Sequence, residues 1–249
     1  SRIAMAPMFQ GISIAFRTFA ATILSPKSAP RTAMLFLLIA GVGIASFLGG
    51  GITRSQLEDI ANWALFPGTP LLALALSGLP LRDGHGDKTL LYLVISPVSR
   101  GILAGVRTMA TVLLSATILG FIVLITTLFT QQWSMGIARQ IGAIALGSAF
   151  YIAFFGMVQL VFHRGLFAGL IFYFLLDVPL ARLPAQLSML SPSWHLRVLA
   201  GPTFTSEVAR MGTFTPAPEI SATVLLAGSA LFGALILFFF TRKDLGDLC

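Results

Sequence analysis

Long apolar blocks separated by short polar ones dominate this chain. Six of them, at about 32–50, 61–81, 106–129, 139–162, 165–181 and 220–240, are long enough to consider as membrane spans. A helix needs roughly 20 apolar residues to cross about 30 Å of hydrocarbon. The fifth block is short and reaches that length only by running on past Pro179. The runs are continuous rather than alternating, which favours helices over a transmembrane β-barrel. The pattern predicts an all-α membrane protein with six transmembrane helices, forming a single domain over 1–249.

Three segments between the blocks carry a weaker pattern. In Met8–Leu24, Phe9, Ile12, Phe16, Phe19 and Ile23 recur at helical spacing, and Gln10, Ser13 and Arg17 fall on another face. Such a helix lies in the plane of the membrane interface; the alternative is a loosely ordered tail. In "DGHGDKTLLYLVISPVSRG", Asp83–Gly101, an apolar run too short to cross a bilayer follows a cluster of charges. A helix of about two turns over Thr89–Ser96 places Leu90, Leu93 and Val94 on one face and Thr89, Tyr92 and Ser96 on another. Asp87 is placed to meet its first amides, and Pro97 ends it. The segment is either a docking handle for a partner or an interfacial loop that pads the membrane. The longest loop, about 182–219, holds the semi-apolar stretch "LPAQLSMLSPSWHLRVLAG". Short helices dipping into the outer leaflet account for it.

Composition strengthens the membrane reading. The chain is 56% hydrophobic and 10% charged, with a mean hydropathy of +0.90. A water-facing surface cannot be built from so few charges. The net charge of +7 does not point to nucleic acid, because the basic residues are scattered singly between apolar blocks. They orient the chain instead. With the N-terminus inside, inside segments hold eleven Lys and Arg and outside segments five, which predicts cytoplasmic termini. Trp63, Trp133 and Trp194 then fall near outer span ends, as interfacial indoles do. A signal peptide is not expected. Cys249 is the only cysteine, so neither an intrachain disulfide nor a thiolate metal site is available.

Catalytic signatures are missing. The sequence has no His-Glu-x-x-His, no Gly-x-Ser-x-Gly and no phosphate-binding Gly-x-x-x-x-Gly-Lys-Ser/Thr. His85, His163 and His195 lie in three separate loops or span ends and read as solvated or interfacial. No metal site is expected. Asp177 is the one acid inside an apolar block, and an intramembrane carboxylate is a functional hypothesis by default. The preferred reading is that it snorkels to the outer interface or pairs with Arg182; the sharper one is that it faces a substrate path and attracts cations. Gly101 with Gly105, Gly165 with Gly169, and the row Ala145, Ala149, Ala153 have the spacing of close helix packing.

With these residues in view, the chain resembles the ABC type-2 permeases, membrane subunits of ATP-binding-cassette exporters. The resemblance rests on "ALSGLPLRDGHGDKTLLYLVISPVSRG", with Gly86, Thr89, Leu90, Pro97, Val98, Ser99 and Arg100 in the family's pattern. "SPSWHL", Ser191–Leu196, is similar to its outer-loop signature, and "FFFTRKDL", Phe238–Leu245, to its ending. The family's usual glutamate in the polar stretch is replaced by Asp83 or Asp87, with His85 between them. The resemblance implies that Asp83–Arg100 is a coupling helix docking on a separate ATPase. Asp83, His85, Asp87, Lys88, Thr89, Tyr92, Ser96 and Arg100 would make that contact, helped by the interfacial helix. It implies a dimer with a second permease copy or homologue, spans one and five lining the interface. ATP and Mg would be held by the partner, with no cofactor in this chain. It places the chain in the cytoplasmic membrane of a prokaryote. The competing reading is a non-transporting scaffold or assembly subunit of a larger membrane complex; an intramembrane enzyme is a distant third.

Overall fold

A computed structural model describes residues 54–78, 100–130, 135–162, 164–183, 185–201 and 216–242. The first apolar block, the interfacial segment Met8–Leu24 and the coupling segment up to Ser99 lie outside the described residues. Among the described residues the fold is all-helical, without strands.

The first apolar helix is assembled from α1 (Arg54–Trp63), a π-helical turn (Ala64–Gly68) and α2 (Thr69–Ser77). The turn coincides with Pro67, which has no N–H to give and crowds the preceding turn. A wider turn absorbs the crowding, and the Thr69 hydroxyl donates to the Ala64 carbonyl at 3.2 Å.

α3 (Arg100–Thr130) and α4 (Met135–Val161) follow. Ala104, Arg107, Thr111, Ser115, Leu119 and Val123 of α3 are buried at three- and four-residue steps, while Met109, Leu113 and Phe121 are exposed. The hydroxyls of Thr108, Thr111 and Thr127 donate to carbonyls one turn back, so these polar residues sit in an apolar helix without orphaned donors. Ser115 and Ser148 meet across α3 and α4 at 3.3 Å.

α4 is the central helix. It packs against α2, α3 and the last helix, α8 (Pro218–Arg242), and against α7 (Pro192–Ala200) in the preceding connection. Its rings knit these neighbours together: Phe154 lies 4.4 Å from Phe172 and 5.0 Å from Phe232, centroid to centroid. Of the apolar span in α4, 61% is buried; in α8 only 11% is, so α8 lies at the periphery with most of its surface left for lipid or other subunits.

The fifth apolar block is α5 (Gly165–Ile171), a π-helical turn (Phe172–Asp177) and α6 (Val178–Leu180). It continues through Pro179, but over Gly165–Leu180 it stays shorter than a full span. A 3-10 segment (Ala185–Leu190) then leads to α7. Asp59–Ser77, Ala104–Thr127, Gly136–Val161 and Pro218–Phe239 are long and apolar enough to cross a membrane, at bounds within three or four residues of the sequence reading. The fold is that of a multi-pass membrane protein.

The packing motifs divide. A methyl group on Gly165 would strike the Gln159 backbone, and one on Gly169 the side chains of Leu74 and Phe155, so this pair does hold helices close. Gly105 has only an ordinary contact to Leu237, and Ala145 is exposed, so the other two motifs are not continuous seams. Spacing alone does not say which face of a helix meets a neighbour.

Candidate functional site at Asp177

Asp177 closes the second π-helical turn and is completely buried. Its Oδ1 accepts from the Ser191 hydroxyl at 2.5 Å and from the Ser193 backbone N–H at 3.1 Å. Its Oδ2 accepts from the Tyr151 hydroxyl at 2.6 Å and the Ser193 hydroxyl at 2.7 Å. In every one of these bonds the partner donates. The carboxylate therefore neither snorkels nor relies on Arg182, which is exposed. Both oxygens are taken up by the protein's own donors. The cost of burying an acid in an apolar bundle is met by several charge-assisted hydrogen bonds.

The donors arrive through local rules. "SPSWHL" starts a helix: Ser191 has extended backbone angles and accepts from the Trp194 N–H at 3.3 Å, and Pro192 takes the first helical position, where its missing N–H costs nothing. The Ser193 N–H is one of the free amides of that first turn, and Asp177 supplies the negative charge that a helix N-terminus favours. Tyr151 comes from the middle of α4, four residues before Phe155 on the buried face. One carboxylate thus ties the end of the fifth apolar block to α4 and to the start of α7.

A second bridge leaves the same helix turn. His195 is 3% exposed, and both ring nitrogens are engaged: Nε2 lies 2.8 Å from the Met189 carbonyl and Nδ1 3.1 Å from the Ser221 hydroxyl. The carbonyl can only accept, so Nε2 carries the proton and Nδ1 accepts from Ser221. The reading of His195 as solvated or interfacial is overturned. So is that of Trp194, which is fully buried; Trp63, at 42% exposure, does fit an interfacial indole. Burial pushes the His195 imidazole below its ordinary range, and the Met189 bond partly offsets that.

The remaining predicted positions are distributed as follows. Arg100 is the first residue of α3. Asp83, His85, Asp87, Lys88, Thr89, Tyr92 and Ser96, with Gln10, Ser13 and Arg17, lie outside the described residues. In the sequence Asp177 stands out as an acid in an apolar run and Ser191–Leu196 as a motif, but nothing joins them. Neither Tyr151 nor Ser221 stands out at all. The available signal was a helix-start pattern following a lone acid in an apolar run, which together ask for each other. Among the described residues no group of His, Cys, Asp and Glu is placed to hold a metal. No family model matches the sequence, and no match is found among curated proteins.

Proposed function

We propose that this chain is the permease subunit of an ATP-binding-cassette exporter, moving a substrate across the membrane on ATP hydrolysed by a separate ATPase. The observation that carries the reading is the run from Gly86 through Thr89-Leu90 to Pro97-Val98-Ser99-Arg100, a short amphipathic segment of the family's pattern between two apolar blocks. A multi-pass helical bundle with a peripheral, lipid-ready last helix supports it. On this reading the segment docks in a cleft of the ATPase, which holds ATP and Mg. Two permeases form the pathway, and the assembly sits in the cytoplasmic membrane of a prokaryote.

Tyr92 is the largest side chain on the polar face of that segment. Removing an aromatic anchor from an interface pocket typically costs about 2 kcal/mol, roughly a thirty-fold loss of affinity. Tyr92→Ala should therefore reduce co-purification of the ATPase while the permease stays folded. Leu93→Ala, on the membrane side, should lower stability with less effect on docking. A full complement of ATPase on Tyr92→Ala would count against this segment as the handle.

A further inference from the structure

The imidazole of His195 joins three elements that are separate in sequence. It belongs to α7, bonds the 3-10 segment through the Met189 carbonyl, and reaches α8 through Ser221, which is fully buried. Among the described elements only α7 makes both this bridge and the Asp177 bridge, so its first turn holds the connection against α4, the fifth apolar block and α8 together. The two anchors differ in one respect. Asp177 is bonded by four donors to its carboxylate, whereas His195 bonds as a neutral ring with one donor and one acceptor nitrogen. Its side chain is the type that changes charge near neutral pH.

We propose that His195 is a proton-released pin: a proton arriving at Nδ1 weakens the hold of α7 on α8 and lets the 185–201 connection open as a unit. The proton goes to the nitrogen that now accepts from Ser221. That hydroxyl can turn round and accept instead, but the added positive charge remains enclosed. The ionisable groups of the surrounding elements offer it little relief. Arg139 and Tyr151 lie on α4, Glu219 and Arg242 on α8, and Arg197 on α7 itself; Asp177, Tyr173 and Arg182 lie on the neighbouring fifth block and its end. Arg139, Glu219 and Arg182 are exposed, and Asp177 is already engaged by Tyr151, Ser191 and Ser193. Burial disfavours the charged ring, and the Met189 bond offsets that only in part.

The sign follows from linkage. The ring takes up a proton less readily when folded than when α7 is released, where its ordinary value is 6.5. The closed state keeps its full advantage above that value and loses it as pH falls towards the lowered folded value. This device is independent of what the chain transports.

The test is hydrogen exchange of the full chain in lipid nanodiscs, read as protection of the 193–200 amides. Between about pH 7.5 and about pH 5.5 their protection should fall by up to about tenfold. His195→Gln, whose amide can still bond Met189 and Ser221 but cannot take the proton, should abolish the pH response. The double variant His85→Gln/His163→Gln leaves His195 as the only histidine and should retain it. That variant also lets the ring be titrated directly by carbon-13 histidine spectra, which keeps the test open if His195→Gln does not fold. Protection that does not change with pH, a response that survives in His195→Gln, or one lost in the double variant overturns the proposal.

Discussion

Asp177 shows how a single buried acid is made tolerable. Its two oxygens are bonded by three hydroxyls and one backbone amide, with Tyr151 and Ser193 reaching it from different helices. Hydrogen bonds to a charged group contribute about 1.5–3 kcal/mol each, and an orphaned buried partner costs a similar amount. Asp177→Asn keeps the shape but replaces one acceptor oxygen with an NH2 group facing hydroxyl donors. It should destabilise the protein by about 2–3 kcal/mol, with Ser193→Ala showing a smaller loss. Thermal unfolding of the purified protein measures both, and an unchanged midpoint for Asp177→Asn would rule out the network as described. That Asp177 matters was legible in the sequence, because an acid inside an apolar run has few explanations. Its partners were not. Tyr151 lies 26 residues away and is one of three tyrosines with no local signal; the same holds for Ser221, the partner of His195, which looks like any serine at a helix start.

At the scale of elements, hydropathy gave six apolar blocks; four are helices long and apolar enough to span, within a few residues of the expected bounds, the fifth is shorter than a span and the first lies outside the described residues. Hydropathy did not give the π-helical turns at Ala64–Gly68, which contains Pro67, and at Phe172–Asp177, which ends two residues before Pro179. A proline in an apolar run signals a disturbance but not how the neighbouring carbonyls are rescued. Nor could spacing separate real seams from chance. Gly165 faces the Gln159 backbone, which cannot retreat, whereas Gly233 has nothing within reach of an added methyl. Gly165→Ala should therefore cost about 1–3 kcal/mol through overpacking, and Gly233→Ala should be neutral or slightly stabilising. Equal melting behaviour of the two variants would contradict the close approach of α5 to α4.

At the scale of the whole molecule, the bundle is organised around α4 and closed at one end by α7. Two polar bridges, through Asp177 and through His195, hold that closing helix to the apolar helices around it. Helices gain little from the hydrophobic effect when both faces meet lipid, so polar bridges and close packing carry more of the specificity. The exposed apolar faces of α3, the fifth block and α8 leave ample surface for lipid and further subunits. The functional account rests on one claim above the others, that this chain is driven by nucleotide hydrolysis in another subunit. The most direct measurement is ATP hydrolysis by the complex purified through this chain, alongside its subunit composition. The account predicts a complex containing a nucleotide-binding subunit that hydrolyses ATP, and no hydrolysis by the chain purified alone. A stable native complex without any nucleotide-binding subunit would contradict it.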